Sequence, residues 1–125
     1  MREIKFRAWD DMLLKMFTPL TLHEIMDKDF NNCNKYQLKI MQFTGLKDSN
    51  GVDIYEGDVF WHMVEEGLIG VIEWCYDELQ WVVRIVPNIK QYGFVPDLDN
   101  AIEWWKLCEY DEIEVISNIY EVQND

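Results

Sequence analysis

Leu68-Ile69-Gly70-Val71-Ile72-Glu73-Trp74-Cys75, then Tyr76-Asp77-Glu78, then Leu79-Gln80-Trp81-Val82-Val83-Arg84-Ile85-Val86-Pro87: this stretch decides the fold. Two runs of β-branched and aromatic residues, separated by a short acidic connection and closed by proline, predict two neighbouring strands. Trp74 and Trp81 fall near the ends of those strands, where they can stack across a sheet. Val59 to Val64, followed by Glu65-Glu66-Gly67, adds a third strand just upstream. Short strands joined by tight turns predict a mainly β protein built on a small, strongly curved, barrel-like sheet.

Working outward, Glu3 to Ala8 alternates polar and apolar residues, which predicts a strand with one buried face. Asp10-Asp11 reads as a turn and Met12 to Phe17 as the returning strand of an N-terminal hairpin, closed by Pro19. Thr21-Leu22-His23-Glu24 fits a capping box, so a short helix is expected from about 22 to 29, with an exit loop at Asn31 to Asn34. Leu38 to Phe43 is another strand. It leads into a turn-rich phrase, Thr44 to Val59, in which Asn50-Gly51 and Gly57-Asp58 are tight-turn signals. A calcium loop with Gly51 at its sixth position would place Leu46 first, where no ligand oxygen is available. Beyond Pro96, Asp97 or Asp99 is expected to cap a helix carrying Leu98, Ile102 and Trp105 on one face. Ile113 to Tyr120 reads as a terminal strand. Residues 1–125 are expected to form a single domain, with a helical excursion near 20–35.

The chain has 125 residues, 24 acids against 11 bases and a formal net charge of −13, with ordinary hydrophobic content, which argues against global disorder. The acidity is uneven. Residues 1–60 carry ten acids and eight bases, residues 61–96 five and two, and residues 97–125 nine acids with Lys106 alone opposing them. That last third should repel phosphate backbones, so nucleic-acid binding is disfavoured. No apolar run reaches the length of a membrane span. Arg2, Glu3, Lys5 and Arg7 interrupt the N-terminus where a signal peptide would be continuously apolar, so a cytoplasmic location is expected. Cys33, Cys75 and Cys108 are three and dispersed, which predicts buried thiols rather than a disulfide scaffold. His23 and His62 add no metal-binding spacing, and each reads as a surface or satisfied core histidine.

Three phrases together resemble the YopX protein family of phages and prophages. They are Arg7-Ala8-Trp9-Asp10 with Lys15-Met16; Met41-Gln42-Phe43-Thr44-Gly45-Leu46 with Asp48, Gly51 and Ile54-Tyr55-Glu56-Gly57-Asp58-Val59; and Glu114 to Glu121 around Asn118. Ser117 stands where that family usually has Gly, and Val122 where it commonly has Asn. The resemblance implies an SH3-like, strongly curved barrel with an N-terminal hairpin extension and one or two short helices, in a phage setting. In the host cell, the location would then be the host cytoplasm. No catalytic activity, substrate or cofactor comes with the resemblance.

The residues that carry chemistry admit a plain reading and a functional one. Asp48, Asp53, Glu56 and Asp58 are the candidate metal or acid–base cluster, though turns favour the same residue types for backbone hydrogen bonding. Arg7, Trp9 and Asp10 form a second cluster, in which Arg7 is expected to pair with a carboxylate of the middle phrase under cover of Trp9. Gly45, Gly51, Tyr55, Gly57, Asp58 and Asn118 complete the structural motif. Trp61, Trp104 and Trp105 are the interface candidates, since tryptophan is enriched at binding hot spots, whereas Trp74 and Trp81 read as core.

The expected role is therefore that of a non-enzymatic accessory protein without cofactor, binding a protein partner or itself. One alternative is a nucleic-acid-associated barrel using Arg2, Lys5, Arg7 and Lys15, or an acidic DNA mimic. The other is a metal-dependent hydrolase using Asp48 to Asp58.

Overall fold

Leu68–Cys75 and Gln80–Pro87 pair antiparallel in unbroken register from Leu68↔Pro87 to Cys75↔Gln80, with Trp74 directly opposite Trp81. Around this hairpin the computed structural model describes residues 3–26, 38–62, 67–89, 95–110 and 112–122. In chain order the elements are β1 (Phe6–Asp10), β2 (Lys15–Leu20), α1 (Leu22–Met26), β3 (Leu38–Lys47), β4 (Asp53–Tyr55), β5 (Asp58–Trp61), β6 (Leu68–Cys75) and β7 (Gln80–Pro87). β8 (Glu103–Lys106), a 3-10 turn (Leu107–Glu109), β9 (Ser117–Asn118) and α2 (Ile119–Val122) follow.

The strands form two antiparallel sheets, ordered β2-β1-β3-β4 and β8-β7-β6-β5-β9. Irregular register between Phe6 and Ala8 and between Phe43 and Lys47 bends the first sheet, as bulges do. The fold is mainly β, with a curved sheet that stays open as a half-barrel, a hairpin pairing at its N-terminus and short helices. Among the described residues no helix is long and apolar enough to cross a membrane.

Strand alternation explains how the five-stranded sheet buries both of its faces. Phe60, Ile72, Val83 and Ile85 join Ile54, Leu107 and Ile113 on one side. Val59, Ile69, Val71 and Val86 pack on the other, beneath Leu98 and Ile119. Phe60 lies over Gly70, its cross-strand partner, so closely that a Cβ on Gly70 would come within 2.2 Å of the ring. A glycine in mid-strand normally weakens a sheet; here its missing side chain makes room for Phe60, which is 1% exposed.

Several expectations need correction. The helix expected after Asp97 is instead a turn followed by strand β8. Asn100 donates its N–H to the Asp97 carbonyl (3.2 Å), and the Ile102 N–H goes to the Ile85 carbonyl (2.8 Å), so the backbone is committed to β7. An isolated helix of that length is marginal, whereas Trp104-Trp105 are good strand formers beside an available sheet edge. The terminal strand shrinks to Ser117–Asn118, because the Asn118 Oδ1 accepts the N–H groups of Tyr120 and Glu121 (both 3.0 Å) and starts α2.

At the N-terminus, Asp10 ends β1 and its Oδ1 accepts from the Met12 and Leu13 N–H groups, placing Met12 to Leu14 in an exposed turn. Pro19 lies inside β2, an edge strand that tolerates a residue without an N–H. Cys108 is exposed and Cys75 half-buried, contrary to the expectation of buried thiols; Cys33 lies outside the described residues.

Other expectations hold. The Thr21 hydroxyl accepts from the Glu24 N–H (3.2 Å) while the Glu24 carboxylate accepts from the Thr21 N–H (3.2 Å), a complete capping box on α1. The rest of the helical excursion, including the Asn31 to Asn34 loop, lies outside the described residues, as do residues 63–64 of the expected strand Val59 to Val64 and residues 65–66 of the connection after it.

Gly70→Ala is expected to cost about 1–3 kcal/mol by overpacking against Phe60. Urea unfolding of Gly70→Ala, Phe60→Leu and the double variant checks this. The double variant should lose less than the sum of the singles, and strict additivity would refute the contact.

Candidate functional site

β1 carries Arg7 to the seam between the two sheets, where its Nη2 pairs with the Oδ1 of Asp58, the first residue of β5. The same nitrogen lies 3.4 Å from the Glu56 carbonyl and 3.5 Å from the Met41 Sδ. The guanidinium carbon sits 4.7 Å from the centre of the Tyr55 ring, so the aromatic cover over Arg7 is Tyr55. Trp9 is buried in β1, and its Nε1 and the Arg7 Nε have no hydrogen-bond partner among the described residues. Asp58 is 1% exposed, and its second oxygen accepts the Tyr55 N–H at 2.8 Å.

Gly57 makes this arrangement possible. It has φ +85°, and a Cβ there would lie 3.2 Å from the Met41 Sδ and 3.5 Å from Ile119. Its N–H donates to Ile72 (2.8 Å), and its carbonyl accepts from Ile119 (2.9 Å). Across from Asp58 in the β5–β9 ladder stands Asn118.

All three phrases read in the sequence therefore meet here. A second tie joins the middle and closing phrases: Asp48 accepts the N–H groups of Val52 (2.8 Å), Asn50 (2.9 Å) and Val115 (3.0 Å). The Ser49 N–H also donates to the Ile113 carbonyl. Gly51 closes the Asp48 turn by donating its N–H to the Asp48 carbonyl, and Gly45 lies at the irregular part of β3. Ser117 Oγ is 3.1 Å from the Glu121 carboxylate.

The four candidate carboxylates serve separate partners. Asp48 holds backbone, Asp53 bonds Lys5 and Lys47, Glu56 accepts the Gln42 N–H (3.3 Å), and Asp58 holds Arg7. Among the described residues no group of three or more metal-ligating side chains comes together. Burial works to raise the Asp48 pKa, but the N–H donors of Val115, Val52 and Asn50 outweigh it and hold the carboxyl below its ordinary range. Hydrogen bonds from Lys47 and then Lys5 lower that of Asp53, and the Asp53 hydrogen bond in turn raises Lys5. Asp58 moves the other way. Burial pushes it up to about 6, against the opposing charge of Arg7.

The tryptophans divide differently. Trp61, Trp104 and Trp105 are 42%, 51% and 46% exposed. Trp104 opposes Arg84 in the β7–β8 ladder and lines a groove of about 420 Å³ with Glu73, Cys75, Val82 and Ile102. Arg84 pairs there with Glu73 (2.8 Å) and donates to the Leu98 carbonyl (2.7 Å). Trp105 turns the opposite way, toward Tyr110, with ring centroids 6.3 Å apart. Trp74 and Trp81 are half-buried and meet at 5.1 Å and 75°. Sequence reasoning missed the Glu73–Arg84 pair, for which only the diagonal spacing of the predicted strands offered a signal.

Of the bases proposed for nucleic acid, Lys5 and Arg7 are engaged by Asp53 and Asp58, and Lys15 lies 5.2 Å over the Phe17 ring. Arg2 is outside the described residues. Among the described residues, the exposed acids of the last third are spread from Asp99, before β8 at one sheet edge, to Glu121, after β9 at the other.

The sequence pattern of the YopX protein family matches residues 5–124, and the chain belongs to that family. A similar solved structure is the crystal structure of protein EF1440 from Enterococcus faecalis. It is 24% identical, with a TM-score of 0.51, over 97% of this chain and 96% of that one, a likeness of fold. No curated protein matches.

The raised Asp58 pKa fixes the sign of a pH effect. The stability carried by its neutral form is fully present below the unfolded value near 3.8 and is lost as pH rises through about 6. That loss amounts to about 3 kcal/mol. Arg7 limits it, so Arg7→Met should cost about 3–5 kcal/mol at pH 7.5. The cost should shrink at pH 5, where Asp58 takes up a proton. Urea midpoints at the two pH values check this, and equal costs at both would contradict it.

Proposed function

We propose, from the premise that this chain is a YopX-family protein of phage and prophage, that it is a non-enzymatic accessory protein acting by protein contact. It would work in the host cytoplasm as one domain of SH3-like barrel character. The contact surface is the β8 edge, used for self-association or for a protein partner.

One observation carries this reading: all four residues of β8 are exposed at a sheet edge, and two of them are tryptophans. Natural proteins usually blunt such edges, because unpaired backbone groups template pairing with another chain. An added strand takes its affinity from main-chain hydrogen bonds and its specificity from alternate side chains. Trp104 and Trp105 supply the aromatic anchors common at hot spots. Glu103 and Lys106 flank them with one charge of each sign, a pattern that suits an antiparallel copy of the same strand.

The separate partners of Asp48, Asp53, Glu56 and Asp58 support a non-enzymatic role over hydrolysis. The internal engagement of Lys5, Arg7 and Lys15 supports protein contact over nucleic-acid contact.

Light scattering at high micromolar concentration should show a dimer or larger species. Trp104→Lys combined with Trp105→Lys should return it to monomer with its circular dichroism unchanged. If the wild-type chain is monomeric and the double variant retains every partner captured from host lysate, the β8 reading is wrong.

A further inference from the structure

At the far end of the β6–β7 hairpin from Pro87 lies a cavity of about 250 Å³ that the β8 reading does not use. It is lined by Trp74, Tyr76, Trp81, Glu56 and Gln42. Its walls come from three places. Trp74 and Trp81 are cross-strand partners of the hairpin, Tyr76 begins the turn between them, and Glu56 and Gln42 reach in from the seam of the two sheets.

The two indoles meet edge to face at 75° with centroids 5.1 Å apart, two aromatic walls set nearly at right angles. Tyr76, 82% exposed, stands at the mouth. Glu56 is positioned by a reciprocal pair of bonds: its N–H donates to the Gln42 carbonyl (2.9 Å), and its Oε1 accepts the Gln42 N–H (3.3 Å). Aromatic faces carry negative quadrupolar potential, and a carboxylate beside them adds a full charge. Three aromatic walls with one acid are the recurring means of holding an alkylated ammonium.

Two features of the chain sharpen the choice of ligand. Among the described residues, neither lysine nor arginine lines the cavity. Elsewhere the protein satisfies aromatic faces with its own cations: Lys5 over Phe43, Arg7 over Tyr55 and Lys15 over Phe17, all in the N-terminal sheet. No such contact falls on Trp74, Tyr76 or Trp81 among the described residues. The net charge of −13 also enriches cations at the surface.

We propose that the corner formed by Trp74, Tyr76, Trp81 and Glu56 is a binding site for an alkylated ammonium head group. The ligand is a methylated or quaternary amine whose alkyl groups contact the rings while its charge faces Glu56. A strongly hydrated primary ammonium gains less from this desolvating corner, so affinity rises with methylation.

The full chain is titrated with tetramethylammonium, with choline and with neutral 3,3-dimethylbutan-1-ol, the carbon isostere of choline. Indole N–H resonances are followed by NMR, with sodium chloride at matched ionic strength as the blank. The cations should shift two of the six indole signals saturably, and the neutral isostere should bind about tenfold more weakly. Glu56→Gln, which keeps the hydrogen-bond acceptor, and Tyr76→Ala, at an exposed position, should each weaken choline by about tenfold. Trp104 does not line this cavity, although Trp74 and Tyr76 also border the groove beside it, so Trp104→Lys should leave cation binding intact even where it abolishes self-association. A peptide carrying trimethyllysine is compared with free choline to separate a protein-borne source of the head group from a free one. The proposal is overturned if the neutral isostere binds as tightly as choline, if both variants bind it unchanged, or if the shifts match those of sodium chloride.

Discussion

Everything in the fold leans on one buried ion pair, Arg7 with Asp58. No strand is shared between the two sheets, and between β4 and β5 the chain passes from one to the other in two residues, Glu56 and Gly57. Arg7 enters this seam from the N-terminal sheet, and Asp58 opens the first strand of the other. Removing two charges from water costs several kcal/mol each, and their attraction offsets this only when the remaining donors and acceptors are also satisfied. Here the Tyr55 N–H takes the second carboxylate oxygen, and the Glu56 carbonyl and Met41 sulfur lie by the Arg7 Nη2 beside the Tyr55 ring, while the Arg7 Nε has no hydrogen-bond partner among the described residues. Net stabilisation from such a pair is small, but its geometric demand is large. Arg7 meets the buried carboxylate of Asp58 across the seam, and that meeting ties the sheets together.

That constraint explains why three separate phrases of sequence were legible together. Arg7 to Asp10, Met41 to Val59 and Glu114 to Glu121 are distant in the chain, yet they converge at Asp58, Gly57 and Asn118. Local signals with short-range causes were read correctly: the β6–β7 pair, the Thr21–Glu24 capping box and the Asn50-Gly51 turn. What misled was a periodicity with two interpretations. Leu98, Ile102 and Trp105 fit a helical stripe, but Leu98 covers one face of the sheet while Trp105 lies opposite Val83 of the other core. Asn118 was legible as a motif residue, yet its backbone-capping role depends on the strand stopping there. Nothing local announces that stop. The approach of Glu56 to Trp74 and Trp81 was equally unreadable, because it depends on how the two sheets join.

The charge pattern changes meaning once placed in three dimensions. The N-terminal half is nearly neutral by count, but Lys5 and Arg7 are consumed within the protein by Asp53 and Asp58. For those two bases the charge balance reflects internal pairing rather than cationic surface on offer. Among the described residues, the acidic last third runs from β8 at one edge of the five-stranded sheet to β9 at the other. A net charge of −13 discourages non-specific contact with polyanions and keeps molecules apart, while leaving short-range aromatic surfaces to decide what binds.

The strand assignment of Glu103–Lys106 matters most for those surfaces. On a helix, Trp104 and Trp105 would diverge by about 100° and one of them could be buried against a single core face. On a strand they point to opposite faces of the sheet, so burying both needs cover on both sides. Tyr110 supplies part of that cover for Trp105. On the other face Leu98 and Ile119 lie over Val59, Ile69, Val71 and Val86, while Trp104 stands at the edge over the groove floored by Arg84 and Glu73. The exposure of Trp104 therefore follows from period-two geometry at an edge whose cover is incomplete. Filling that side would take another chain, which is why the backbone edge and the indole face invite the same partner.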